Sequence, residues 1–309
     1  QKTAYEYWRD WSSDVCSSAL AMTLSYWQSI VTGFLQGVTE LFPISSLGHA
    51  VLVPAWIGGS WEAFISSPDS YYLTITIALH AASALALFIV FRQRWFEMAR
   101  STLTSMKTRN FSHHHTQLFL LIIIATIPVA LLGKIFEEPV QAAFGKPLPS
   151  AFFLTINGVI LIMAERLSRK TSMATSNVDI DQAITQHISK PNAVIIGFGQ
   201  SLALLAGISR FGITMSAGLL RKVNHAAAAE FAFLLALPVI AGASLLKLPE
   251  LFTAETAHLA GPVIAGSITS FFATYISVKF LVRWFKSKTL YPFAIYCLVV
   301  GLISVVKFF

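Results

Sequence analysis

The chain has 309 residues, 55 % of them hydrophobic and 12 % charged, with a formal net charge of +7. That is about half the ~25 % charge of a soluble domain, and with a mean hydropathy of +0.65 there is too little polar side chain to cover a water-facing sphere. Two cysteines, Cys16 and Cys297, make neither a disulfide framework nor a four-ligand zinc site.

In chain order, Gln1 to Ala21 holds Glu6, Arg9, Asp10, Asp14 and Cys16 without an apolar run, so it is neither a signal peptide nor a span. The string resembles the translation of sequencing-adapter read-through. The natural chain is expected to begin at Met22 and the leader to have no function.

A membrane span needs ~20 apolar residues. Six stretches are predicted as spanning helices: Tyr72 to Phe91, Leu118 to Phe136, Ala151 to Met163, Ala226 to Leu246, Leu259 to Val282 and Pro292 to Val306. Two others, Leu24 to Ile57 and Ala193 to Leu220, are interrupted by Gly, Pro, Ser and a charged residue. Interrupted apolar segments cannot face lipid, so broken or re-entrant helices are expected there, lining a wet cavity or buried in protein.

These two segments match. A shift of 164 positions superposes Gly33-Phe34-x-Gln36 on Gly197-Phe198-x-Gln200, Leu41 on Leu205, Ile44-Ser45 on Ile208-Ser209 and Gly48 on Gly212, seven identities in sixteen positions. An internal duplication follows, with halves of about 22–165 and 190–309 in one integral membrane domain.

Lys and Arg gather in Arg92 to Thr116, Arg166 to Lys190, Arg221-Lys222 and Arg283 to Lys288. Gly58 to Tyr71 and residues 248–258 carry acids only. The basic group is read as cytoplasmic and the acidic group as external. This bias accounts for the net charge without nucleic acid and makes the two repeats inverted. The predicted fold is therefore an all-α polytopic membrane protein, six spanning helices plus two re-entrant helical hairpins in inverted repeats.

Glu40 lies deep in the first interrupted segment and Arg210 at the break of the second. A charge at membrane depth costs at least ~2.5–3.5 kcal/mol and is a functional candidate by default. Gln36 and Glu40 share a helix face, Pro43 stops that helix, and Ser45-Ser46 are natural caps for the next one, which carries His49. The other repeat offers Ser209, Arg210 and Thr214 around a glycine-punctuated turn. Helix-terminal N–H groups, hydroxyls and a guanidinium fork are what a phosphate needs, and a His beside a Ser supplies proton chemistry or a nucleophile. Elsewhere, His113-His114-His115 is expected to be solvated, His80 to pack inward on a backbone partner, and Glu230 to pair with cytoplasmic basic residues.

The first motif (Gln36, Gly37, Thr39, Glu40, Pro43, Ser45, Ser46, Gly48, His49) and the second (Gly207, Ser209, Arg210, Gly212, Thr214) resemble those of the bacitracin-resistance type of undecaprenyl-diphosphate phosphatase. So do Glu230 to Pro238 and Pro292 to Tyr296; Ala206, Phe211 and Cys297 depart from the family pattern. The resemblance implies hydrolysis of the lipid diphosphate to the monophosphate, which recycles the cell-wall carrier lipid and gives bacitracin resistance. It implies a divalent cation, Mg²⁺ or Ca²⁺, with Glu40, supported by Gln36, holding that cation or positioning water, and Ser46 or His49 as nucleophile. Phosphate would be bound by Ser45, Ser209 and Thr214 with Gln36, and Arg210 together with the cation would offset the charge that builds at the transferred phosphoryl. The expected setting is the bacterial inner membrane with the site toward the outer face. The expected partners are a polyprenyl diphosphate lipid and the bilayer, with a homodimer left open. The rival class is a lipid-phosphate flippase or transporter.

Overall fold

The computed structural model describes residues 24–67, 71–143, 145–169, 179–251, 253 and 256–309. The leader expected to be non-native lies outside them. Among the described residues there are helices and no strands.

The six predicted spans fall within helices long and apolar enough to cross a membrane. These are α4 (Tyr72–Thr108), α5 (His114–Ile135), α7 (Pro147–Arg169), α11 (His225–Lys247), α12 (Ala260–Trp284) and α13 (Tyr291–Phe308). The basic stretch after Phe91, expected as a loop, is instead mostly helix. α4 kinks at Phe91 (φ −100°, ψ 16°) and continues to Thr108, since Ala, Met, Leu and Arg there are good helix formers.

Each interrupted segment is two short helices flanking a break. In the first, α1 (Tyr26–Thr39) and α2 (Ser46–Ile57) flank residues 40–45. In the second, α9 (Lys190–Gln200) and α10 (Arg210–Leu220) flank a 3₁₀ turn and residues 205–209. The 164-residue shift carries one pair onto the other, caps included. Ser25 caps α1 and Ser189 caps α9; Ser45 caps α2 and Ser209 caps α10.

The repeats interlock. α1 packs mainly on α12 of the second half, and α9 on α5 of the first, while α7 pairs with α13 and α4 with α11. Equivalent glycines make both crossings close. A Cβ on Gly33 would fall 2.9 Å from the Gly266 Cα, and one on Gly197 would fall 2.8 Å from the Pro128 Cγ. Short helices α3 (Gly59–Ser66), α6 (Glu137–Ala143) and α8 (Ile180–His187) fill connections.

At the end of the bundle carrying the basic segments, α8 is held by polar contacts. Asp181 accepts from Arg94 and pairs with His115, and His114 Nδ1 lies 2.8 Å from the Thr185 hydroxyl. The histidine run expected to be solvated thus docks a helix. Arg94 also donates to Glu230 at 2.7 Å, so Glu230 has the basic partner expected of it.

Candidate active site

The two breaks meet. The Gly207 N–H donates to Ser45 Oγ at 3.1 Å and the Ser209 hydroxyl to the Phe42 carbonyl at 3.4 Å. Asn157, wholly buried on α7, ties both. Its Nδ2 donates to the Pro43 carbonyl at 2.9 Å and its Oδ1 accepts from the Ser209 N–H at 3.0 Å. Backbone geometry there is unusual. Ser45 has φ +70° and Gly207 φ +115°, conformations that a non-glycine residue holds only when its surroundings enforce them.

The result is two helix N-termini facing one small pocket, lined by Glu40, Ser45, Ser46, Leu47, Ala203, Ile208, Ser209 and Arg210. Ser45 Oγ accepts from the Gly48 N–H at 3.2 Å, and Ser209 Oγ accepts from the Gly212 N–H at 3.0 Å. The residue after each cap begins a helix, Ser46 on α2 and Arg210 on α10. Both helices aim their positive ends at the same space, which favours an anion.

Glu40 follows α1 directly and is 7 % exposed. Its Oε2 accepts from Gln36 Nε2 at 3.0 Å and from the Ser46 hydroxyl, and lies 3.1 Å from His80 Nε2. Its Oε1 lies 3.7 Å from Arg210 Nη1, too far for a hydrogen bond. Nε and Nη1 of Arg210 are buried without a hydrogen-bond partner. Arg210 therefore brings unspent donors to a pocket framed by helix N-termini and hydroxyls. A phosphate would satisfy them.

His49 is placed differently from Ser46. Its Nδ1 is 2.7 Å from the Ser45 carbonyl and its Nε2 2.7 Å from the Tyr296 hydroxyl. It does not line the pocket, and neither do Gln36 or Thr214; all three are buried. Phe211, where the family pattern has Ser, turns into the core against Phe233, ring centroids 4.7 Å apart. Cys297 Sγ accepts from Asn157 at 3.4 Å.

Beside the pocket lies a cavity of about 410 Å³, mostly apolar. Leu47, Ala203 and Arg210 line both spaces, so the cavity adjoins the pocket. The cavity runs from His80 and Arg210 to Lys134, Glu137, Lys247 and Glu250. At that end Lys247 Nζ is 2.7 Å from both Glu137 Oε1 and Glu250 Oε1.

The profile of the family described as "Bacitracin resistance protein BacA" matches residues 29–303. The chain belongs to the BacA family. It is 44 % identical to the undecaprenyl-diphosphatase of Mycolicibacterium paratuberculosis, over 92 % of this chain and 97 % of that protein. It is 43 % identical to that of Mycobacterium avium over the same shares, and 41 % identical to undecaprenyl-diphosphatase 2 of Frankia alni over 92 % and 98 %.

The divalent cation expected at Glu40 with Gln36 does not fit as a resident ion. Gln36 turns its amide nitrogen to Glu40, and its Oε1 is buried without a hydrogen-bond partner. Oε2 is already engaged by three neighbours, and Oε1 faces a guanidinium. Among the described residues no three His, Cys, Asp or Glu gather to hold a metal.

Two partners in this BacA site were missed in the sequence. His80 has the expected backbone contact, Nδ1 to the Thr76 carbonyl at 2.6 Å, but its other nitrogen faces Glu40. Asn157 was legible as a lone amide in an apolar run, a signal that polar groups at membrane depth always carry.

Proposed function

We propose that this chain hydrolyses undecaprenyl diphosphate to undecaprenyl monophosphate and phosphate in the bacterial inner membrane, and that the reaction occurs toward the outer face. The observation that carries the reading is Arg210: two buried, unpartnered donors in a pocket where two capped helix N-termini converge beside a hydroxyl already bonded to a carboxylate. The names of the relatives and the family match supply the substrate. The apolar cavity beside Arg210 receives the start of the prenyl chain.

Ser46 is the nucleophile. Its Oγ attacks the terminal phosphorus, the Oγ–P bond forms, and the bridging P–O bond breaks with its electron pair on the departing lipid monophosphate. The hydroxyl proton moves to Glu40 Oε2, the acceptor it already touches, and passes on to the departing phosphate. Glu40 then takes a proton from the water that attacks the phosphoserine; the Oγ–P bond breaks, phosphate leaves, and Ser46 Oγ recovers the proton from Glu40 Oε2. Phosphoryl transfer needs little base strength and much charge stabilisation, which Arg210, Ser209 and the helix ends provide. A divalent cation such as Mg²⁺ or Ca²⁺, brought by the diphosphate and not held by Glu40 and Gln36, would offset part of the substrate's charge. His49, hydrogen-bonded to the Ser45 carbonyl and Tyr296, braces the α2 start; Thr214 and Gln36 support the pocket wall from behind. The two broken helix pairs are re-entrant, in inverted repeats, and nothing in the chemistry requires a homodimer or a nucleic acid.

Purified protein in detergent, given undecaprenyl diphosphate, is expected to release phosphate. Ser46→Ala should lower the rate by about 10³-fold or more, with His49→Ala at least tenfold more active than Ser46→Ala. The reverse order would make His49 the nucleophile. Tight binding without any phosphate release by the wild type would favour a carrier.

A further inference from the structure

His80 approaches the site from α4, a helix outside both broken segments. It is 5 % exposed. Its Nδ1 sits 2.6 Å from the Thr76 carbonyl and its Nε2 3.1 Å from Glu40 Oε2. A carbonyl and a carboxylate are both acceptors, so each ring nitrogen has an acceptor within reach. One bond anchors the ring to its own helix and the other reaches across to Glu40.

Glu40 needs such a hold. It is the first residue past α1, on a stretch ended by Pro43 and without continuing helix. Gln36 supports the carboxylate from its own helix, and Arg210 stands beyond hydrogen-bond distance. His80 reaches it from α4, outside both broken segments, beside the Ser46 hydroxyl on α2 and the more distant Arg210 on α10. The same oxygen, Oε2, accepts from Ser46, so the grip sets where the acceptor for the serine proton lies.

We propose that His80 is a positioning residue for phosphoryl transfer: anchored by Thr76, it fixes the Glu40 carboxylate against the Ser46 hydroxyl. The proposal rests on the phosphatase reading, which wild-type phosphate release tests by itself. His80 also lines the apolar cavity, so the competing role is contact with the lipid.

Two isosteric substitutions separate the roles. In His80→Gln the amide nitrogen takes the place of Nε2 and keeps the bond to Glu40; in His80→Asn it takes the place of Nδ1 and keeps only the bond to Thr76. With undecaprenyl diphosphate in detergent, His80→Gln should hold kcat within about threefold of wild type. His80→Asn should lose about tenfold or more, the scale on which misplacing a reacting group acts. KM should stay within about twofold in both. In a Glu40→Gln background, His80→Asn should cost less than about twofold further, since coupled residues are not additive. Equal losses in the two variants, a change confined to KM, or a full tenfold further loss in the Glu40→Gln background would each overturn the proposal. Melting temperatures run alongside; both substitutions keep a buried amide, and a fold lost in His80→Asn alone would count against a positioning role.

Discussion

Arg210 is held in a state that is poor for stability and suited to binding. A buried donor without a partner costs ~1–3 kcal/mol, and Arg210 has two such atoms. An anion that supplies acceptors recovers this, so inorganic phosphate is expected to raise the melting temperature of the wild-type protein, as any ligand of the folded state does. Arg210→Lys keeps the charge but loses the planar fork. It should abolish that thermal shift and lower kcat/KM for undecaprenyl diphosphate by about 10²-fold, near 2.7 kcal/mol of transition-state stabilisation. A lysine variant that keeps both the shift and the rate would reduce Arg210 to a point charge. Glu40 and Arg210 were legible as candidates because a charge at membrane depth stands out in an apolar run. Their neighbours His80 and Tyr296 were not: Tyr296 lies 247 positions from His49, and no local pattern encodes a contact made only by folding.

At the scale of elements, the break points depend on a strap and two crossings. Asn157 satisfies the Pro43 carbonyl and the Ser209 N–H, one from each repeat. Asn157→Leu fills the space but leaves both groups buried and unpaired, so about 2–4 kcal/mol of stability should be lost. A melting curve in detergent checks this, and phosphate release should fall as the two breaks separate. The helix-to-helix crossings carry a symmetric expectation. Gly33→Ala and Gly197→Ala each push a methyl into a backbone or a proline ring, and each should destabilise by about 1–3 kcal/mol. A cost at only one of the two would mean that the repeats are alike in sequence and unlike in packing. The spans, the breaks and the 164-residue correspondence were all legible, because hydropathy, proline and glycine act locally. The helical extension from Arg92 to Thr108 was not, since a basic amphipathic stretch reads equally as loop. The docking of His114 and His115 on α8 depended on a partner some 70 positions away.

At the scale of the whole molecule, the direction of the chain across the membrane follows from where its cations lie. Arg92, Arg94, Arg100, Lys107 and Arg109 follow one span, and Arg283, Lys286 and Lys288 follow another; Gly58 to Tyr71 holds only acids. Translocation disfavours Lys and Arg in short flanking loops, so the two kinds of loop belong on opposite sides. On that reading the Glu137–Lys247–Glu250 cluster, and with it the far end of the apolar cavity, is expected to face outside. Ser60 and Ser287 are exposed, one on the short helix α3 of an acidic connection and one on a basic turn. With Cys16 and Cys297 replaced by Ser, a cysteine introduced as Ser60→Cys should react with a membrane-impermeant maleimide in intact cells. Ser287→Cys should react only after permeabilisation. The opposite pattern would turn the molecule over and aim the cavity at the cytoplasm, against the proposed outward-facing site. Labelling of both positions in intact cells would mean that the two loops share a face, and the inverted relation of the repeats would then fail with it.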